Sequence, residues 1–84
     1  MISGRVQGVF FRVHTKKQAD KLDVKGWVRN MDDGRVEAMF EGEKDKVDSI
    51  VSWCHVGPTL SKVTQVIVTP INVPVGCEGF FIKN

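Results

Sequence analysis

The 84 residues contain no apolar run approaching the roughly 20 that a helix needs to cross a bilayer. No secretory signal is visible either, so the cytoplasm is the expected location. Charge of one sign is also missing. Twelve basic residues stand against ten acidic ones, which leaves +2 with both signs scattered along the chain. That describes a solvated surface, not a footprint for nucleic acid or a membrane. Cysteine is scarce: Cys54 and Cys77 are far apart and form no C-x-x-C pair, and His14 and His55 do not complete a four-ligand set. No metal is therefore expected, and in a reducing compartment the two thiols are expected to stay unpaired. The chain also lacks both common nucleotide-binding patterns. It has no glycine followed by lysine and a hydroxyl, and no G-x-G-x-x-G. What remains is one small domain over 1–84 with an ordinary apolar content, enough for a single core.

The most informative stretch is Gly4-Arg5-Val6-Gln7-Gly8-Val9-Phe10-Phe11-Arg12. Its two glycines lie in a short loop that leads into a helix. Glycine tolerates positive φ and carries no side chain, so backbone N–H groups can converge on one point. A helix start adds more unpaired N–H donors and the positive end of the helix dipole. Arg12 supplies a forked, permanently charged partner for oxyanions. The loop is too short for a nucleotide and suits a single phosphoryl group.

Periodicity orders the remaining elements. Ile2 to Gln7 reads as a strand. Phe11, Thr15, Ala19 and Leu22 recur at helical spacing and predict a helix over 11–22. Val24 to Met31 reads as a strand, Asp32-Asp33-Gly34 as a hairpin turn, and Val36, Ala38 and Phe40 as the inner face of the next strand. Val47, Ile50, Val51 and Cys54 form the core stripe of a second helix that Gly57-Pro58 stops. Val63 to Thr69 is a β-branched strand ended by Pro70, residues 72–79 a loop, and 79–83 a last short strand. The order β-α-β, hairpin, β-α-β predicts a ferredoxin-like α+β sandwich: an antiparallel sheet with both helices on one face.

Two segments resemble the signatures of the acylphosphatase family. The first is the glycine loop ending at Arg12. The second is Gly26-Trp27-Val28-Arg29-Asn30-Met31-Asp32-Asp33-Gly34-Arg35-Val36-Glu37. The resemblance spans essentially the whole chain. It implies the same fold and the hydrolysis of small acyl phosphates to a carboxylate and inorganic phosphate, with no cofactor. By the same resemblance, Arg12 binds phosphate, Asn30 positions the attacking water, and the backbone amides of Gln7, Gly8, Val9, Phe10 and Phe11 hold the phosphate oxygens. An amide can orient water but cannot remove its proton near neutral pH. The substrate phosphate is therefore expected to take that proton. Expected partners are the acyl phosphate and inorganic phosphate, as product or inhibitor, and the chain is expected to act as a monomer. The alternative is a non-catalytic anion-binding domain of the same fold. A sheet that binds RNA would need exposed aromatics on a basic face, which Arg35 to Phe40 do not provide.

The other candidates have plainer expected roles. His14 lies off the Arg12 side of the helix and is read as surface or packing. His55 is read as a partner for the last carbonyls of the second helix. Trp27 and Trp53 are expected to cover the core, and Phe10, Phe11, Phe40, Phe80 and Phe81 to lie in it or at its edge. The carboxylate pairs Asp32/Asp33 and Glu41/Glu43 are read as turn and surface groups. Only Met1, Ile2 and Ser3 precede the first signature, where the family usually has several more residues, so either the native start lies upstream or the first strand is clipped and stability reduced.

Overall fold

The computed structural model describes residues 1–69, 76 and 78–83. The expected stop at Pro70, the thiol of Cys77 and most of the 72–79 connection lie outside them. The elements run β1 (Ile2–Arg5), α1 (Phe11–Leu22), β2 (Lys25–Asn30), β3 (Val36–Glu41), α2 (Lys44–Val56), β4 (Lys62–Val66) and β5 (Phe80–Lys83). The sheet order is β4-β1-β3-β2-β5. The first four strands give the expected ferredoxin-like arrangement. β5 adds itself parallel to β2, with Val28 opposite Ile82 and Arg29 opposite Lys83, so the sheet is mixed and not wholly antiparallel.

The element ends follow from local hydrogen bonding. β1 stops at Arg5, not Gln7, because the chain there turns into the glycine loop. α1 closes at Asp23, whose φ of 58° lets its N–H and that of Val24 return to the carbonyls of Asp20 and Ala19. β2 loses Met31 to the hairpin, where the Met31 N–H donates to the Arg35 carbonyl at 2.7 Å. β4 ends at Val66, since Ile67 exchanges hydrogen bonds with Met1 and β1 offers no further partner. His55 sits in the last turn of α2, but its Nδ1 lies 3.0 Å from the Val51 carbonyl one turn back, so it does not partner the last carbonyls of the helix as expected.

Both helices pack on one face, joined where the Phe11 and Trp53 rings meet at 5.5 Å. Ile2, Val6, Phe11, Val28, Val36 and Ile50 are fully enclosed between the layers. Thr15 is buried with them and is satisfied by donating to the Phe11 carbonyl at 2.7 Å. Two aromatic assignments need correction. Phe10 and Phe81 are mostly exposed, whereas Phe11 and Phe80 take the core positions. Adjacent residues in an extended or turning chain face opposite ways, so each Phe-Phe pair can place only one ring inside.

Cys54 is buried against this core, and burial pushes its thiol up to about 12. Desolvation disfavours the thiolate, so the folded chain keeps a proton that the unfolded chain releases above the thiol's usual value of 9.0. The stability tied to this group is intact below pH 9 and is lost as pH climbs toward 12. The free energy of unfolding, measured by denaturant titration, is expected to fall over that window by up to about 1.4 kcal/mol per pH unit. The same protection should show in labelling. In a Cys77→Ser background, native Cys54 is expected to react with an aryl disulfide only on unfolding. Fast labelling of the native chain would contradict its burial.

β1 lies between β3 and β4 but meets β3 at one residue pair only, Ile2 with Val36. Beyond that pair a groove of about 710 Å³ opens between the rest of β3 and residues 66–69, with Val47, Val51 and Cys54 of α2 among its lining. About six strand-forming residues added ahead of Met1, one typical strand length, would continue both ladders and cover those apolar side chains. The extension is expected to raise Tm by about 5 °C or more, since 1 kcal/mol moves a domain of this size by roughly 4–8 °C. An unchanged Tm would show that the groove gains nothing from a strand.

Candidate active site

The start of α1 is built for an anion rather than for a cap. Phe10 holds the N-cap position at φ 61°, ψ 27°, and no side chain caps the helix. The first bond into the helix runs from the His14 N–H to the Phe10 carbonyl at 3.0 Å. The N–H groups of Phe11, Arg12 and Val13 therefore have no partner within the helix. Upstream, Gly8 has φ 74°, and a Cβ there would meet nothing within 4 Å. Glycine is needed at this position for its backbone angle, not for space. Val9, with negative φ, separates the two left-handed residues. Alternation of that kind gathers successive N–H groups into an anion-binding concavity.

Two side chains from distant segments join this loop. Arg12, on the first turn of α1, is half-buried, and its Nη1 donates to the Lys83 carbonyl at the end of β5 at 3.2 Å. Asn30 closes β2, and its Oδ1 is buried with no hydrogen-bond partner among the described residues. Arg12 and Asn30 line one cavity of about 240 Å³ together with Gly8, Phe10 and Phe11. Its remaining walls among the described residues are Val6, Val13 and Ile82, so Arg12 is the one charged residue of these that lines it. Buried polar atoms are almost always paired. An unpaired amide oxygen beside a guanidinium and free helix amides marks a place where solvent or ligand supplies the missing partner.

Among the predicted site residues, Gly8, Phe10, Phe11, Arg12 and Asn30 come together, whereas Gln7 and Val9 do not line the cavity. Val9 packs against the core. Gln7 uses its side chain instead: Nε2 donates to the carbonyls of Met31 at 2.7 Å and Arg35 at 3.0 Å. This clamps the glycine loop to the hairpin that follows Asn30, and so sets the distance between the two halves of the site. The hairpin is also held by an Arg35–Asp33 ion pair at 2.7 Å. The Arg35 hydrogen bond keeps the Asp33 carboxyl below the usual carboxylate range, so this link persists through neutral pH.

Sequence reasoning missed the Gln7 clamp, the Lys83 carbonyl, and the walls formed by Val6, Val13 and Ile82. The contributions of β5 depend on its parallel pairing with β2, which periodicity does not reveal. Lys83 is held there partly through its ammonium, 4.8 Å from the centre of the Trp27 ring. His14 is exposed and is absent from the cavity wall, as expected. Among the described residues there is no group of acidic, histidine or cysteine side chains able to hold a metal ion. No helix among them is long and apolar enough to cross a membrane.

Comparison with known proteins adds a chemical frame to this geometry. A family model described as acylphosphatase matches residues 1–82. An acylphosphatase of Rubrobacter xylanophilus is 52% identical over 82 residues, covering 98% of this chain and 74% of the relative. One from Natronomonas pharaonis is 49% identical over 82 residues, covering 98% and 88%. Among solved structures, the acylphosphatase of Bacillus subtilis superposes with a TM-score of 0.96 at 42% identity, covering 99% of this chain and 92% of that one.

Proposed function

This chain belongs to the acylphosphatase family and hydrolyses the carboxyl–phosphate bond of acyl phosphates, and from that premise we propose that the cavity between α1, β2 and β5 is its active site. The reading rests most heavily on one observation: Asn30, whose buried Oδ1 has no partner among the described residues, lines the same cavity as Arg12. In this reading the phosphoryl oxygens sit among the amides of residues 7–12, with the Arg12 guanidinium taking two of them. Asn30 holds a water molecule in line with the phosphorus.

Attack forms a bond from the water oxygen to phosphorus and breaks the bond from phosphorus to the acyl oxygen. The carboxylate leaves with that electron pair, and the water proton passes to a phosphate oxygen. The step needs positioning and charge stabilisation more than a strong base, because a carboxylate leaves readily. Arg12 and the amides neutralise the equatorial oxygens, while Asn30 lowers the entropy barrier for water.

The finer features belong to the same proposal. The chain acts as one domain over residues 1–84 and as a monomer, in keeping with its mixed surface charge. It works in the cytoplasm, and inorganic phosphate competes with substrate for the cradle. A non-catalytic anion-binding role is the weaker reading, since the relatives named as the enzyme match nearly the whole chain.

Hydrolysis of benzoyl phosphate in ¹⁸O-labelled water tests the chemistry. The label is expected in the phosphate and not in benzoate, with a pH–rate profile flat between the ionisations of substrate and protein. Label in benzoate would place the attack on the carbonyl carbon and overturn the role given to Asn30. A sharp bell belonging to a protein group would overturn proton transfer to the substrate phosphate.

A further inference from the structure

The cradle accounts for the phosphoryl group, but one rim of the cavity is apolar in a way that phosphate does not require. Phe10, Val13 and Ile82 come from the N-cap of α1, its first turn and β5, and all three line the cavity. They are also well exposed, at 71%, 42% and 40%. Single exposed apolar side chains are ordinary on a protein surface, whereas three converging on the cavity that Arg12 and Asn30 line are a binding feature. Phe10 adds a second sign. A bulky residue held in the left-handed region is strained, and such strain persists at functional sites where the surroundings impose it. Here it turns the ring out of the core and onto the rim.

We infer that Phe10, Val13 and Ile82 form the seat of the acyl group, and that the preferred substrates carry a small, uncharged, apolar acyl group such as an aryl or branched alkyl. This rests on the placement of phosphate proposed above and extends it to the other end of the substrate. With the phosphoryl group against Arg12, the acyl carbon chain leaves the cradle toward this rim. Among the described residues, no cation lines the cavity except Arg12, which the phosphate occupies. A second carboxylate or phosphate on the acyl group would be desolvated there without a partner. The volume sets an upper size: about 240 Å³ is below the roughly 300–1,000 Å³ of pockets for larger ligands. A single ring fits that scale, and a nucleoside does not.

The test compares kcat/KM for benzoyl phosphate, acetyl phosphate and an acyl phosphate ending in a carboxylate. The parent chain is measured beside Val13→Thr, Ile82→Thr and the double variant. These exchanges keep the β-branch at both positions; Ile82 lies outside the phosphate cradle, and Val13 lends it only a main-chain N–H, which threonine retains. Acetyl phosphate turnover is expected to stay within about twofold, whereas the preference for benzoyl over acetyl phosphate falls roughly tenfold in the double variant, mostly through KM. Differences in leaving-group reactivity cancel, because each ratio is compared with that of the parent. Ile82→Lys is expected to raise activity on the carboxylate-bearing substrate. An unchanged benzoyl-to-acetyl ratio in the double variant, with acetyl phosphate still hydrolysed, overturns the acyl seat alone. Failure of the parent to hydrolyse any of the three overturns the underlying placement and the seat together.

Discussion

Arg12→Ala is expected to lower kcat/KM for benzoyl phosphate by on the order of 10²–10³, the usual effect of removing one charge-stabilising group from a preorganised site. Binding of inorganic phosphate should weaken in the same variant. The guanidinium contacts oxygens that carry charge before, during and after the reaction, so ground state and transition state both lose a partner. Arg12→Lys is expected to recover only part of the rate. An ammonium restores the charge but not the fork, and its position is no longer fixed by the Lys83 carbonyl, which Nη1 reaches at 3.2 Å. The fold should survive both changes, since Arg12 is only half-buried and its side chain makes that one exposed hydrogen bond among the described residues. A variant that keeps its Tm and also keeps its turnover would remove Arg12 from the chemistry.

Asn30→Ala should give a different signature. Turnover is expected to fall by about 10²–10³, while phosphate affinity changes only a few-fold. Asn30 addresses the water and not the bound oxyanion, so its loss appears in kcat more than in KM. Asn30→Asp is the sharper test. The carboxylate keeps the size and one oxygen, but it puts negative charge beside the phosphate and should weaken inorganic phosphate binding where alanine does not. Equal loss of phosphate affinity in both variants would mean that Asn30 is itself a phosphate ligand. Stability offers an independent check. Because Oδ1 is buried without a protein partner among the described residues, removing the amide leaves no partner stranded, and Tm should hold or rise slightly.

The parts of this architecture that sequence makes readable are those decided by neighbours along the chain. α1 follows from Phe11, Thr15 and Ala19, which are buried at the predicted spacing, and α2 follows from Ile50 and Cys54. The loop and Arg12 are legible because glycine, a helix start and a guanidinium fall within nine residues. Asn30 was reached through its resemblance to a family signature, since an asparagine before a turn has an ordinary explanation of its own.

Other features depend on contacts between remote segments. Arg12 and Lys83 meet only because β5 lies parallel to β2 beside the start of α1, and an edge strand of four residues carries no mark of its direction. The Gln7 clamp joins side chain to backbone across the two signatures, and it needs the folded hairpin to exist. Phe10 reads as apolar and therefore inward. Its left-handed backbone reverses that, and no pattern of hydrophobicity encodes the sign of φ.

The most direct measurement is a titration of the ¹⁵N-labelled chain with inorganic phosphate, followed by NMR. Expected are shifts of the Gly8 to Val13 amides, the Arg12 side chain and the Asn30 carboxamide along a single binding curve, with the amide shifts much reduced in Arg12→Ala. Shifts centred on another face of the sheet, or an Asn30 carboxamide that stays still while phosphate saturates the loop, would contradict a shared site.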